Sequence, residues 1–316
     1  MVVLHSRAER FLLEAFRLRA QVDSGLRPTD RRVLLRGNPD WKPRLHHRLG
    51  IFTQMEVDSC LDGPQVLEKL RVLAPDVIRG QPQMLNRVAQ VIEATGGPPL
   101  RPRLIFSGAD MLRQGVRRRI EEACGGRIVD FYGTDEFDLL AWECRACRRY
   151  HTCDDSVILE IIAGNGPAAP GEEGEVVVTG LHSFIMPFLR LNMGDLARRP
   201  ATQEPCGTRF RTIEQPLGRS RDFLPLPSGR ALSPSKIELG FRDVEGLAQY
   251  RVVQQALDRV VVYYVPLTAA SENLATHLHE RCRRIFPSEI SFTVARMDEL
   301  APDGKWRIIR SWPGDA

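Results

Sequence analysis

The chain has 316 residues, 43% of them apolar and 27% charged, with a formal charge of +4, a balance that suits a folded protein long enough for two domains. No apolar run approaches the ~18 residues of a membrane span, and Met1–Arg7 lacks a charged-then-apolar export pattern, so the expectation is a cytoplasmic protein with no membrane partner. The arginines are spread along the chain rather than grouped with aromatics, which argues against nucleic acid, and seven cysteines, an odd number, argue against a disulfide framework.

In chain order, residues 7–23 carry Phe11, Leu12, Ala15, Phe16 and Leu18 at helical spacing, closed by Gly25. Val33-Leu34-Leu35 reads as a short buried strand. A helix over 64–73 uses Val66, Leu67, Leu70 and Leu73 and stops at Pro75; Val77-Ile78 is a strand. Pro82 suits a first helical turn, and Met84, Leu85, Val88, Val91 and Ile92 form that helix's apolar face. Leu104-Ile105-Phe106, a helix over 111–123 and Ile128–Phe131 continue the alternation, which predicts an α/β fold with a mainly parallel sheet.

After residue 140 the pattern changes. Val157–Ile162 and Glu175–Thr179 are β-rich runs around a Gly/Pro-rich turn at 164–174, as antiparallel strands would be. The boundary is placed at 218: a large domain over 1–218, and a smaller, mobile α+β domain over 219–316 that holds the run Val260–Val265 and a helix over 271–285.

Four short motifs follow one another: Phe131-Tyr132-Gly133-Thr134-Asp135-Glu136, Arg190-Leu191-Asn192-Met193-Gly194-Asp195-Leu196, Gly218-Arg219-Ser220-Arg221-Asp222 and Asp303-Gly304-Lys305. They supply, in order, a carboxylate for a magnesium ion, a two-oxygen acceptor for sugar hydroxyls, and an Arg and a Lys for phosphates. With Ile105-Phe106-Ser107-Gly108-Ala109-Asp110 upstream, order and wording resemble the phenylacetate–CoA ligase branch of the adenylate-forming superfamily, over nearly the whole chain.

The resemblance implies the adenylate-forming enzyme fold, with ATP/AMP, Mg2+ and coenzyme A as cofactors. By it Gly108, Ala109, Asp110, Tyr132 and Gly133 fall to the adenosine side and Glu136 to magnesium. Asp135 stands where the family usually has Ser or Thr. Asp195 would accept from both ribose hydroxyls, and Leu191 and Met193 replace the usual Tyr and Thr beside it. Arg219 would contact ribose or α-phosphate. Arg221 would be the hinge about which the small domain rotates, where the family commonly has Asp or Lys. Lys305 would bridge the substrate carboxylate and the phosphates as charge develops in the transition state.

Cys144, Cys147, His151 and Cys153, with Cys206 some fifty residues on, supply the thiolates and imidazole that structural zinc prefers. Part of the family carries a zinc knuckle here, with a Cys-x-Cys pair in the later loop. This chain has Glu204-Pro205-Cys206 there, so the resemblance implies Zn2+ held by Cys144, Cys147, His151 and Cys206, with a hairpin over about 142–155 and Cys153 spare.

The implied activity is ATP-dependent conversion of an aryl or small organic acid to an acyl-adenylate, then transfer to coenzyme A. The partner is a small carboxylic acid, and a homodimer is the assembly common in the family. The alternatives are adenylyl transfer to another acceptor, towards which the loop Ser228–Pro234 leans by being one residue longer than usual, and a non-catalytic fragment that keeps fold and zinc. The family's Ser/Thr/Gly-rich loop around the ATP phosphates has no counterpart in these residues. The expectation is a partial large domain that turns over poorly or not at all without that cradle.

Overall fold

The computed structural model describes residues 2–37, 45–202, 206–219, 223–232, 234–241, 244–267, 273–298, 300 and 309–310. Arg221 and Lys305 lie outside them. Two compact units result: one of residues 1–112, 116–193 and 198–216, the other of residues 113–115, 194–197 and 217–316.

The first unit opens with α1 (Arg7–Asp23), started by a reciprocal capping box in which Ser6 and Glu9 satisfy each other's backbone N–H. The Glu9 carboxylate also accepts from the N–H groups of Phe184 and Ile185. Backbone donors from Ser6, then Ile185, hold its pKa down at about 2. Next come β1 (Arg32–Arg36), α2 (Leu45–Arg48), β2 (Gln54–Asp58), α3 (Gly63–Leu73), β3 (Val77–Gly80), α4 (Pro82–Thr95), β4 (Leu104–Gly108), α5 (Gln114–Cys124) and β5 (Arg127–Tyr132). Asp62 caps α3 by accepting from the N–H of Gln65, and α4 starts at Pro82 and ends on left-handed Gly96. The helix expected from 111 begins only at Gln114, because Leu112 is fully buried and its carbonyl accepts from the Gln215 side chain at 2.7 Å.

β6 (Ala141–Glu143), β7 (Tyr150–Thr152), β8 (Val157–Ala163), β9 (Gly166–Pro167), β10 (Glu173–Gly180), β11 (Leu191–Arg198) and β12 (Thr212–Ile213) follow. The main sheet has eight strands in the order β12-β7-β6-β5-β4-β3-β1-β2. Pairings from β2 across to β5 are parallel; β6, β7 and β12 add antiparallel. β8 pairs antiparallel with β9 and β10. Successive strand residues face opposite layers. Ile78, Ile105 and Ile128 pack with Leu70, Leu85, Ile92 and Ile120 of α3, α4 and α5, while Val77, Leu104, Phe106 and Val129 pack on the opposite face with Leu26 and, from α1, Leu18.

The second unit contains β13 (Gly218–Arg219), β14 (Leu224–Pro225), β15 (Ala231–Leu232), α6 (Pro234–Phe241), β16 (Leu247–Ala256), β17 (Arg259–Pro266), α7 (Leu274–Ile285), β18 (Ser291–Arg296) and β19 (Ile309–Arg310). Its sheet runs β18-β17-β16-β19. Tyr250, Val252, Val260 and Val262 form one core with Ile237 and Phe241 of α6 and Leu278 and Cys282 of α7. Among the described residues no helix is long and apolar enough to cross a membrane.

Candidate functional site

Two turns leave the parallel sheet side by side. β4 ends at Gly108 and β5 at Tyr132, and the strands are in register with Gly108 opposite Phe131. Both turns therefore project from the carboxyl ends of adjacent parallel strands, where open α/β sheets take ligands. A Cβ on Gly108 would lie 2.9 Å from the Phe131 carbonyl oxygen, so glycine lets the two strand ends converge. Ala109 then takes a left-handed φ of 70°, and Asp110 accepts from the Gln83 side chain at 3.1 Å and from the Met111 N–H.

The second turn folds back on itself. The Asp138 N–H donates to the Thr134 carbonyl at 2.8 Å, and a Cβ on Gly133 would sit 2.0 Å from the Asp138 carbonyl oxygen, so no side chain fits there. The Asp138 carboxylate pairs with Arg17 of α1. Glu136 is half-buried with no hydrogen bond or ion pair among the described residues, the state in which a carboxylate is open to a cation. The structure thus brings Gly108, Ala109, Asp110, Tyr132, Gly133 and Glu136 to one end of the first unit.

Asp195 and Arg219 meet in the second unit. They are directly opposed across the antiparallel β11–β13 pair, and Arg219 Nε lies 3.7 Å from Asp195 Oδ1. The Leu217 N–H to the Leu196 carbonyl, at 2.8 Å, closes the same ladder. A carboxylate and a guanidinium side by side are a matched acceptor and donor for a hydroxylated, phosphorylated ligand.

The four expected zinc ligands also gather. Cys144 follows β6, Cys147 sits in the turn, His151 lies in β7, and Cys206 comes from the segment before β12. The sulfurs of Cys144, Cys147 and Cys206 and a ring nitrogen of His151 all lie within 4.8 Å of one another. Tetrahedral zinc, with bonds of about 2.0–2.3 Å, spaces its ligands by roughly 3.3–3.8 Å, and Cys206 Sγ is 3.5 Å from His151 Nε2. The turn is knuckle-like: the Cys144 N–H donates to the Arg149 carbonyl, the Arg148 N–H to the Cys144 carbonyl, and the Ala146 N–H to Cys144 Sγ at 3.4 Å. Burial alone would raise the Cys144 thiol, but the N–H groups of Cys147 and Ala146 and the neighbouring thiols outweigh it and bring its pKa below the ordinary value. Burial lowers His151, favouring neutral imidazole. These residues fit a structural zinc ion in donor type and grouping; burial pushes the Cys147 thiol up to about 11, so that ligand would give up its proton only on binding the ion. Cys153 stands apart: it is fully buried, its sulfur 3.3 Å from Arg19 Nη2, and burial pushes its pKa up to about 12.

Beneath the hairpin lies a buried charged cluster that sequence reasoning missed. Glu143 accepts from Arg117 Nη2 at 2.8 Å, from Arg148 Nη1 at 3.1 Å and from the Asp130 N–H at 3.1 Å. The Tyr150 hydroxyl donates to Asp130 at 2.7 Å. Burial raises Asp130 to about 6 despite that hydrogen bond. In sequence, Asp130 in the middle of an apolar strand was the one available signal, since a central carboxylate there requires buried partners.

No protein-family model matches the chain. A phenylacetate-coenzyme A ligase of Pseudomonas putida is 31% identical over 237 residues, which are 71% of this chain and 52% of that protein. The structure of 2-hydroxyisobutyryl-CoA ligase in the postadenylation state, in complex with R3-HIB-AMP, superposes with a TM-score of 0.76 at 19% identity, over 97% of this chain and 70% of that one. An anthranilate CoA ligase in complex with anthranoyl-AMP gives a TM-score of 0.64 at 16% identity, over 93% of this chain and 61% of that one. The fold is that of adenylate-forming CoA ligases. The chain spans about half the length of the curated relatives it matches.

Proposed function

The chain is of the phenylacetate–CoA ligase-like branch of the adenylate-forming superfamily, and on that premise we propose that it binds an adenylate and serves ATP-dependent activation of a small carboxylic acid. The observation that carries this reading is the pair of turns at the carboxyl ends of β4 and β5, which would flank the adenine. In the reaction the acid's carboxylate oxygen attacks the α-phosphorus of ATP, pyrophosphate leaves, and the thiol of coenzyme A then displaces AMP from the acyl carbon. Gly108, Ala109, Asp110, Tyr132 and Gly133 would line the base, and Asp195 and Arg219 would hold ribose and α-phosphate. Glu136 would hold Mg2+, which neutralises phosphate charge when bound. Cys144, Cys147, His151 and Cys206 would hold one zinc ion, whose four protein ligands leave no open position, so its contribution is structural.

Calorimetric titration with AMP tests the first part. Saturable binding is expected, weakened in Asp195→Ala by roughly 1.5–3 kcal/mol through loss of a hydrogen bond to a charged acceptor. Absence of binding, or an unchanged affinity in the variant, overturns the reading. Acid-dependent pyrophosphate release with a panel of aryl acids tests the second. Lys305→Ala should lower any such turnover by about 100-fold or more while leaving AMP affinity nearly unchanged, as loss of a transition-state contact does.

A further inference from the structure

Two of the four thiol and imidazole residues have a neighbour in sequence that bonds to β5, the strand leading into the candidate nucleotide turn. Glu143 precedes Cys144, and Tyr150 precedes His151. Glu143 takes the Asp130 N–H at 3.1 Å, and Tyr150 donates its hydroxyl to Asp130 at 2.7 Å. Asp130 lies two residues before Tyr132. The backbone repeats the link: Tyr132 is in register with Ala141 and Phe131 with Trp142, and the Leu140 N–H donates to the Tyr132 carbonyl at 2.9 Å. Arg117 Nη1 donates to the Ile128 carbonyl of β5 while Nη2 holds Glu143.

We propose that Tyr150 and Glu143 are positioning residues that couple the metal knuckle to the Tyr132–Glu136 turn, so that metal occupancy and adenylate affinity are thermodynamically linked. This rests on the adenylate and zinc readings above.

The physical case is one of stiffness. Arg117, Asp130, Glu143 and Tyr150 are each 5% exposed or less. Charged groups so deeply buried cannot slide without leaving a partner unsatisfied. A shift of the knuckle would therefore be passed to β5 rather than absorbed in side-chain rotation. With the ion bound, Cys144 and His151 are fixed, and with them Glu143 and Tyr150. The strand end that carries Tyr132 is then held in one place, and less ordering remains when the nucleotide binds. Linkage requires the converse as well: bound AMP must hold the metal more tightly.

The test measures both directions on zinc-loaded protein. Zinc affinity is measured by equilibrium competition with a chromogenic chelator, with and without saturating AMP, and AMP affinity is measured by calorimetry. In the wild type AMP should tighten zinc binding about fivefold or more, within the range usual for coupled sites. In Tyr150→Phe, which keeps the ring and loses only the hydroxyl, zinc stoichiometry should stay at one per chain. AMP affinity should fall about fivefold, and the ratio of zinc affinities with and without AMP should collapse towards one. Glu143→Gln, which keeps an acceptor oxygen, should fall between the two. Asp195→Ala serves as a control that loses AMP affinity and keeps its zinc. Equal zinc affinity with and without AMP in the wild type, at AMP concentrations that calorimetry shows to be saturating, overturns the coupling and leaves the adenylate reading standing. So does an unchanged ratio in Tyr150→Phe or, should that variant not fold, in Glu143→Gln. No AMP binding to the zinc-loaded wild type removes both.

Discussion

The two ends of the eight-stranded sheet are stabilised by different physics. From β3 to β5 the strands are parallel and largely apolar on both faces, covered by α3, α4 and α5 on one side and by α1 with Leu26 on the other. Burial of this kind is non-directional, and hydrophobic residues of similar volume can replace one another at modest cost. The antiparallel end has strands of three, three and two residues, β6, β7 and β12. It relies on directed contacts: Arg117 to Glu143, Tyr150 to Asp130, the four gathered Cys and His side chains that would hold a metal ion, and Arg19 stacked at 4.5 Å over Trp142 and at 4.4 Å over Phe210. The candidate nucleotide turn of β5 lies where these regimes meet. One side of that strand tolerates exchange of side chains, and the other depends on single atoms.

Removing one such atom group should give the largest effect. Arg117 holds Glu143 at 2.8 Å with both side chains 5% exposed; burial lowers the arginine's pKa, but Glu143 together with Tyr150 and Asp130 outweighs it and leaves it raised. Arg117→Ala leaves Glu143 with the half-exposed Arg148 as its ion-pair partner and the Asp130 N–H, and a loss of about 3–5 kcal/mol is expected, as for other broken buried pairs. Urea denaturation monitored by tryptophan fluorescence measures it; a loss below about 1 kcal/mol would erase the contrast drawn above. Next is Cys206→Ser. It should abolish stoichiometric zinc, counted by elemental analysis, and cost roughly 2–4 kcal/mol, the scale of losing one cross-link. Cys153→Ser, outside the cluster, should keep its zinc. Retention of the ion by Cys206→Ser would mean that the other three side chains suffice.

The contrast also explains what the sequence revealed. α1, α3 and α4 were legible because their apolar residues recur at helical spacing and Gly25, Pro75 and Pro82 mark their ends, whereas the caps Ser6 and Asp62 came only from the structure. β3, β4 and β5 were legible as apolar runs, because both faces are buried. β2 was not: Gln54-Met55-Glu56-Val57-Asp58 is an edge strand with one fully buried side chain. β16 was hidden in the same way, since Gln249, Arg251 and Gln254 interrupt its apolar residues. The two turns and the cysteine spacing were readable because their local geometry or chemistry demands particular residues. Cys206 was grouped with the metal candidates as one of the mid-chain cysteines, but its place in the four-ligand set came from family resemblance, as no spacing rule reaches across the 55 residues to His151. The Arg117–Glu143–Asp130–Tyr150 cluster was invisible: each member is unremarkable in its own segment, and only the pairing of β5, β6 and β7 brings them together.

The smallest effect concerns pH, and Asp130 beside the antiparallel end has the opposite sign to Glu9 in the capping box of α1. Burial raises Asp130 to about 6 in the folded chain, against roughly 3.9 when unfolded. Below about pH 4 the side chain is protonated in both states and costs nothing. As the pH rises from 4 to 6 the unfolded chain loses this proton first, so the folded state binds more protons and stability falls with rising pH. Above about 6 the loss levels off, at roughly 2–3 kcal/mol. Carboxylates with lowered values act oppositely: Glu9 at about 2, held by the Ser6 and Ile185 N–H groups, lends stability above its unfolded pKa that is lost as the pH falls towards 2. The measurement is the difference in unfolding free energy between the wild type and Asp130→Asn at intervals from pH 4 to 8, on zinc-free protein so that ligand protonation does not intrude. Because Asn keeps an acceptor for Tyr150 but does not titrate, the variant should gain on the wild type by up to 2–3 kcal/mol between pH 4 and 6 and then run parallel to it. A difference that stays flat across that interval would place the Asp130 titration elsewhere, and with it the low-dielectric character assigned to the antiparallel end.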